Sequence, residues 1–264
     1  MAKKLNAKLS AQLYTLRDFC KTAEDFAKTM KRVRKIGYRH VQISGIGPIP
    51  ACEVRAILDD TGLTAIGAHI GLNDFRENLP SVIERCHTWG TEYVAIPWMP
   101  ASQITSGAGW KAHAKEFSKY GKLLQKEGIT VQYHNHCFEF QKYKLGTKLM
   151  TGLEILYRES DAKYLQAEID THWVARGGGN PATWIRGMKG RTDQVHFKDM
   201  VILNDQPVMA EIGQGNLEWD AIIAACAEAG VKDVIVEQDI CPITNDPFKS
   251  LEISYKFLKA KGLK

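Results

Sequence analysis

Eight short stretches rich in β-branched and aromatic residues recur along the chain, each parted from the next by residues with helical spacing. They are Ser10 to Leu16 (SAQLYTL), His40 to Ser44 (HVQIS), Thr64 to Ile70 (TAIGAHI), Tyr93 to Trp98 (YVAIPW), Ile129 to His134 (ITVQYH), Tyr164 to Asp170 (YLQAEID), Gln194 to Lys198 (QVHFK) and Val234 to Glu237 (VIVE). Successive stretches lie about 25 to 40 residues apart, the length of one strand-plus-helix unit. Between them, Glu24 to Ile36 carries Phe26, Ala27, Met30, Val33 and Ile36 on one helical face and stops at Gly37. The same ending recurs at Trp89-Gly90, Glu127-Gly128 and Ala229-Gly230, and Asn180-Pro181 reads as an N-cap and first position opening a helix through Met188.

Eight such cycles in 264 residues predict an α/β chain folded as a single (β/α)8 TIM barrel over residues 1–264. No G-x-G-x-x-G follows the first stretch to argue for a dinucleotide-binding sheet, and Gly213-Gln214-Gly215 reads as a loop turn. At 44% hydrophobic and 25% charged residues, the composition is that of a soluble globular protein with a sizeable core.

A balance of 35 basic against 30 acidic residues, net +5, mildly favours anionic small molecules such as sugar phosphates. The basic concentrations, Lys3-Lys4 and Lys28 to Lys35, read as a terminus and a solvated helix face, so no nucleic-acid partner is expected. Six cysteines without a C-x-x-C pair read as buried free thiols of a reducing compartment. The opening MAKKLNAKLSAQL lacks an apolar signal region, and no run reaches the ~18 apolar residues of a membrane span, so a cytoplasmic protein with no membrane partner is expected. Self-association as a homo-oligomer stays open.

A barrel gathers its chemistry at the C-terminal ends of its strands. Of 8 histidines, His69, His134, His136, His172 and His196 fall at or just beyond a strand end, whereas His40, His87 and His113 do not. Asp170 closes the sixth stretch, His196 lies in the seventh, Glu237 closes the eighth, and Glu139 lies just past the fifth. Each alone has an ordinary reading, a carboxylate capping the next helix or a histidine in the wall. Together, carboxylates ending apolar strands call for a compensating cation, and a Glu-Asp-His-Glu set suits one divalent ion, Mn²⁺ foremost, with Mg²⁺, Co²⁺ or Zn²⁺ as alternatives.

The segments AQLYTLRD (Ala11 to Asp18), YHNHCFEF (Tyr133 to Phe140), EIDTHW (Glu168 to Trp173), HFKDM (His196 to Met200), IGQGNLEWDAI (Ile212 to Ile222) and VEQD (Val236 to Asp239) resemble the sugar phosphate isomerase/epimerase superfamily, the xylose isomerase-like TIM barrels. That group includes ketose 3-epimerases, hydroxypyruvate isomerase and inosose dehydratase. The resemblance implies a divalent metal held by Glu, Asp, His and Glu at the barrel mouth, chelating two adjacent oxygens of a hydroxy-carbonyl sugar. Asp170, His196 and Glu237 match three of these ligands. Ketose epimerases carry the remaining glutamate within the fifth strand, where this chain has Gln132, Tyr133 and His134. The resemblance points to Glu139 as its replacement, with His134 or His136 as alternatives.

The implied chemistry is proton transfer through an enediolate, giving isomerisation or epimerisation, or dehydration and lyase chemistry on a keto-inositol or 3-keto-glycoside. The epimerases resemble a two-glutamate machine, with the first and last metal ligands exchanging protons. Here Glu237 and Glu139 would be that pair, and His134 or His136, imidazoles suited to work near neutral pH, are candidates for the proton. Lys198 is placed to support an oxyanion or bind phosphate, with a surface pair to Asp199 as the plain alternative. His69, His172, Trp173, Trp98 and Gln12 are candidate substrate contacts, with Tyr14 and Arg17 as lesser ones. An abasic-site endonuclease on the same barrel lacks its D-x-x-H pair here, and a non-catalytic sugar-binding barrel is the remaining rival.

Overall fold

The alternation read from the sequence closes into a parallel barrel in the computed structural model, which describes residues 4–100 and 104–264. In chain order the elements are β1 (Lys8–Gln12), α1 (Ala23–Ile36), β2 (His40–Ile43), α2 (Ala51–Thr61), β3 (Thr64–His69), α3 (Leu72–Glu77), α4 (Leu79–Trp89), β4 (Tyr93–Ile96), α5 (Gly107–Leu124) and β5 (Thr130–His134). There follow β6 (Lys142–Leu145), β7 (Lys148–Thr151), α6 (Gly152–Glu159), β8 (Leu165–Asp170), α7 (Thr171–Arg176), α8 (Pro181–Gly187), β9 (Gln194–Phe197), β10 (Asp199–Leu203), β11 (Gln206–Ala210), α9 (Trp219–Ala229), β12 (Asp233–Val236) and α10 (Pro247–Ala260). Around the barrel the order is β1, β2, β3, β4, β5, β8, β9, β12, with β12 closing onto β1.

Local chemistry sets the element ends. Thr22 caps α1 by accepting from the Asp25 amide at 3.2 Å, Glu24 and Asp25 occupy its first turn, and Arg34 and Lys35 its last, each complementing the helix dipole. Asn180 caps α8 through the Thr183 amide at 2.9 Å, with Pro181 behind it. The first strand is shorter than the sequence predicts. Gln12 turns its side-chain oxygen onto the Tyr14 amide, and Leu13–Phe19 winds into a 3-10 helix instead of continuing the strand. Two antiparallel hairpins, β6–β7 and β10–β11, were not anticipated; their two-residue links hold Gly146 at φ 61° and Asn204 and Asp205 at 51° and 62°.

Period-two alternation divides each barrel strand. Val41, Ile43, Val94, Ile96, Val131, Tyr133, Ile169, Val195, Phe197, Val234 and Val236 are buried with helix residues such as Phe26, Trp110 and Phe117 in one apolar cluster. The alternate positions carry Gln12, Gln42, Gln132, Glu168, Gln194 and His196, all fully buried. A barrel interior is ordinarily packed with branched apolar side chains; this one is lined with amides and carboxylates that bond across it. Gly67 makes room for them, since a Cβ there would lie 3.0 Å from Gln194 Oε1 and 3.1 Å from Gln42 Nε2.

All six cysteines are free thiols; Cys20, Cys86 and Cys226 are buried as expected, but Cys52 is exposed, and Cys137 and Cys241 are half-buried. Among the described residues no helix is long and apolar enough to cross a membrane. Lys3 lies outside the described residues, and Lys4 and most of the Lys28 to Lys35 basic side chains are exposed.

Helix α5 lies so close to the entry of β8 that a Cβ on Gly121 would stand 1.7 Å from the Tyr164 carbonyl oxygen, a backbone atom that cannot rotate away. Gly121→Ala is therefore expected to lower stability by about 2–3 kcal/mol, against a helix-propensity gain of about 1 kcal/mol. Urea denaturation checks this: the midpoint should fall at unchanged slope, and an unchanged midpoint would contradict the close approach.

Candidate metal centre and substrate cleft

Strand register brings the polar strand ends together. His134 pairs with Glu168 across β5 and β8, and Asp170 pairs with His196 across β8 and β9, so two imidazoles and two acids sit side by side on adjoining strands. With Glu237, which follows β12, His134, Asp170 and His196 form a fully buried group whose donor atoms lie within 4.8 Å of one another. Asp170 divides its two oxygens between tasks. Oδ1 accepts from the Trp173 amide at 3.0 Å and caps α7, while buried Oδ2, with no well-directed hydrogen bond, faces His134 Nε2 at 3.7 Å and Lys198 Nζ at 3.0 Å. The expected capping role is thus met by one oxygen, and the other is left facing the His134, His196 and Glu237 group. Two nitrogen and two oxygen donors, one of them a buried carboxylate oxygen without a hydrogen bond, fit a hard or borderline divalent ion.

The proton positions follow from burial and charge. Burial and the neighbouring His196 press the His134 imidazole down to about 3, which keeps it neutral and competent as a ligand. Burial would lower His196 too, but Glu168 and Glu237 outweigh it and raise the ring to about 10. Burial opposes ionisation of Glu237, yet Lys198 and His196 hold its carboxyl well below the usual range.

Glu168 is a buried acid beside this group that the sequence reading does not single out. It lies two positions before Asp170 on β8 and therefore shares its inward face, a signal that was present in the strand's period. Its Oε1 accepts from Gln42 Nε2 at 2.5 Å, and Oε2 is met by His69 Nε2 at 2.6 Å and His134 Nδ1 at 3.2 Å. Gln42 in turn accepts through Oε1 from Gln12 Nε2 at 2.5 Å and His196 Nε2 at 2.7 Å, so the amide lining and the histidines form one network.

Lys198 is fully buried and pairs with Glu237 Oε2 at 2.7 Å, Asp239 Oδ2 at 2.8 Å and Asp170 Oδ2 at 3.0 Å. The surface pair with Asp199 does not form. Asp199 turns away and accepts from the amides of Met200, Gly213, Gly215 and Leu217 and from Trp219 Nε1, which fastens the Gly213-Gln214-Gly215 turn.

Above this group opens a cleft of about 380 Å³ lined by Tyr14, Ser44, His69, Pro97, Trp98, His134, His136, Glu237 and Asp239. Trp98 is its exposed wall, and Asp239 is a lining acid that strand-end reasoning passed over. His136 packs its ring 5.2 Å from those of His134 and Trp173; its Nδ1 is buried without a partner, and burial together with nearby His134 and Lys198 keeps the ring neutral. Glu139 stands apart from the ligand group: its oxygens accept from Tyr133 Oη at 2.8 Å and the His136 amide at 2.9 Å, and burial pushes its carboxyl up to about 7. The short helix Phe138–Phe140 turns it back toward β5. Gln12 lies inside the barrel and meets His69 Nδ1 at 3.4 Å, and His172 is buried with Nδ1 on the Asp199 carbonyl at 3.1 Å, so neither lines the cleft. Trp173 is half-buried against His136 and does not line the cleft, with Lys198 Nζ 5.4 Å from its ring, and Arg17 stacks on Tyr14.

Comparison with known proteins agrees with this fold. The profile of the xylose isomerase-like TIM barrel matches residues 30–260. Inosose dehydratase of Lactiplantibacillus plantarum is 23% identical over 168 residues, which are 57% of this chain and 53% of that protein, so the chain spans about half the length of the relative it matches. A sugar phosphate isomerase/epimerase of Parabacteroides distasonis superposes with a TM-score of 0.77 at 23% identity, covering 98% of this chain and 96% of the other. The IolI protein with a bound zinc atom superposes with a TM-score of 0.72 at 14% identity, covering 96% and 97%. At these identities the superpositions speak for the fold.

Removing the only ammonium paired with Asp170, Glu237 and Asp239 among the described residues leaves buried Asp170 without that cation and Glu237 with His196 alone. In chelator, Lys198→Met is expected to lose about 3–5 kcal/mol, and added Mn²⁺ should restore part of that loss. Denaturation with EDTA and with Mn²⁺ measures both; a variant as stable as the parent in EDTA would contradict the charge compensation.

Proposed function

The chain belongs to the xylose isomerase-like TIM barrel family, and on that premise we propose that it is a divalent-metal-dependent isomerase or epimerase. Its substrate is a sugar, keto-sugar or sugar phosphate, and its reaction is proton transfer next to a carbonyl. The observation that carries this reading is a buried set of His134, Asp170, His196 and Glu237 beneath a cleft wide enough for a small carbohydrate. These four residues would hold the ion. Bound there, it would polarise the substrate carbonyl and stabilise enediolate charge.

The chain's own groups divide the remaining work. His134 has both nitrogens turned to carboxylates, so it serves as the fourth ligand in place of the fifth-strand glutamate. His136, neutral and at the cleft wall, takes the proton from the carbon next to the carbonyl and returns it to another face or atom. Lys198 Nζ, fully buried on Asp170, Glu237 and Asp239, holds these acids in place beneath the cleft. Glu139 anchors the His136 backbone and has no ligand role. Tyr14 and Trp98 flank the sugar ring.

A second reading, dehydration of a keto-inositol, is favoured by the inosose dehydratase relative. It shares the first proton abstraction and differs in expelling a β-oxygen. Incubating the Mn²⁺-supplied protein in D₂O with ketoses, ketose phosphates, inososes and 3-keto-glycosides separates the two. Deuterium entering a recovered ketose supports isomerase or epimerase chemistry, and water loss from an inosose supports the lyase. His136→Ala should lose exchange while retaining the ion, and exchange with no member of the panel would sink the catalytic reading.

A further inference from the structure

We infer that Glu168 is a positioning residue that fixes the tautomer of His134 and the tilt of both histidines in the ligand group, an inference that rests on the metal-dependent reading above. One carboxylate oxygen, Oε2, receives His69 Nε2 at 2.6 Å, His134 Nδ1 at 3.2 Å and His196 Nε2 at 3.4 Å. The opposite nitrogens of the two mouth histidines face the ligand acids, His134 Nε2 toward Asp170 at 3.7 Å and His196 Nδ1 toward Glu237 at 2.9 Å. A carboxylate only accepts, so His134 Nδ1, turned to Glu168, carries the proton, while His196 Nε2 donates to Gln42 Oε1 at 2.7 Å, itself held by the bond of Gln42 to Glu168. The lone pair of the neutral ring is then directed at the mouth. This is the carboxylate–histidine arrangement that orients metal ligands and raises their basicity.

The rest of the surroundings holds the carboxylate still. Glu168 is fully buried, its second oxygen is taken by Gln42 Nε2 at 2.5 Å, and the ring of His69 stacks on His196 at 5.2 Å with an interplanar angle of 9°. His69, His134, Glu168 and His196 also approach closely enough to be considered a second ion site. Their nitrogens, however, converge on the carboxylate oxygen itself, which occupies the centre that an ion would need. Glu168 serves three imidazoles as an anion, and the ion belongs one layer above it.

The test uses the full chain, Co²⁺ as probe, and the variants Glu168→Gln, Glu168→Asp and Asp170→Asn. Wild type should bind one Co²⁺, Asp170→Asn should bind none, and Glu168→Gln should bind it about 10- to 100-fold more weakly with a changed visible spectrum. Nitrogen-15 NMR of the chelated protein should find His134 protonated at Nδ1 in wild type and lose that preference in Glu168→Gln. If Glu168→Gln does not fold, Glu168→Asp, which keeps the charge but shortens the reach, should show intermediate affinity and a shifted spectrum. Wild-type affinity and spectrum in the folded glutamine variant, or in the aspartate variant where glutamine does not fold, would overturn the positioning role alone, as would two ions per chain. Absence of Co²⁺ binding in wild type would overturn the metal reading and this inference with it.

Discussion

Charge compensation inside the barrel governs the site. Glu168, Asp170 and Glu237 are withdrawn from water at one end of the barrel, where an unpaired carboxylate costs several kcal/mol. Lys198 answers Asp170 and Glu237, His196 answers Glu168 and Glu237, and His69, His134 and Gln42 complete the hydrogen bonding of Glu168. The strand register is what makes this affordable: adjoining β5, β8 and β9 set partners beside one another, so little side-chain freedom is spent in bringing them together. A cluster so rich in carboxylate oxygen and imidazole nitrogen is poised to receive a further cation.

The polar barrel interior has a second consequence. Buried hydrogen-bonded networks hold their members in one arrangement where every partner is in place. Gln12, Gln42 and Glu168 tie β1, β2 and β8 together below the cleft, so the groups at the mouth stand on a fixed floor. The apolar residues between barrel and helices supply the burial that stabilises the fold, while the amides inside specify where its functional groups point.

Much of this was legible in the sequence, because a strand's period and a helix's punctuation are local properties. The eight barrel strands, the glycine-ended helices, and the placing of Asp170, His196 and Glu237 at strand ends follow from them directly. The misses have long-range causes. Gln12 ends β1 early by capping its own following turn, and both hairpins depend on short links whose backbone preference the barrel pattern obscures. Glu139 has the right residue type at a plausible distance, but a helical turn folds it onto Tyr133. Glu168 shares the inward face of Asp170, yet its importance depends on side chains from β2, β3, β5 and β9 that only tertiary closure brings within reach.

The proposed function requires a divalent ion held by His134, Asp170, His196 and Glu237. Crystals grown with Mn²⁺ and measured at the manganese absorption edge test it most directly. One anomalous peak bounded by His134 Nε2, Asp170 Oδ2, His196 Nδ1 and Glu237 Oε2 is the predicted result. A peak at Glu139, a peak in the Glu168 layer, or none in the barrel at saturating Mn²⁺ would contradict it.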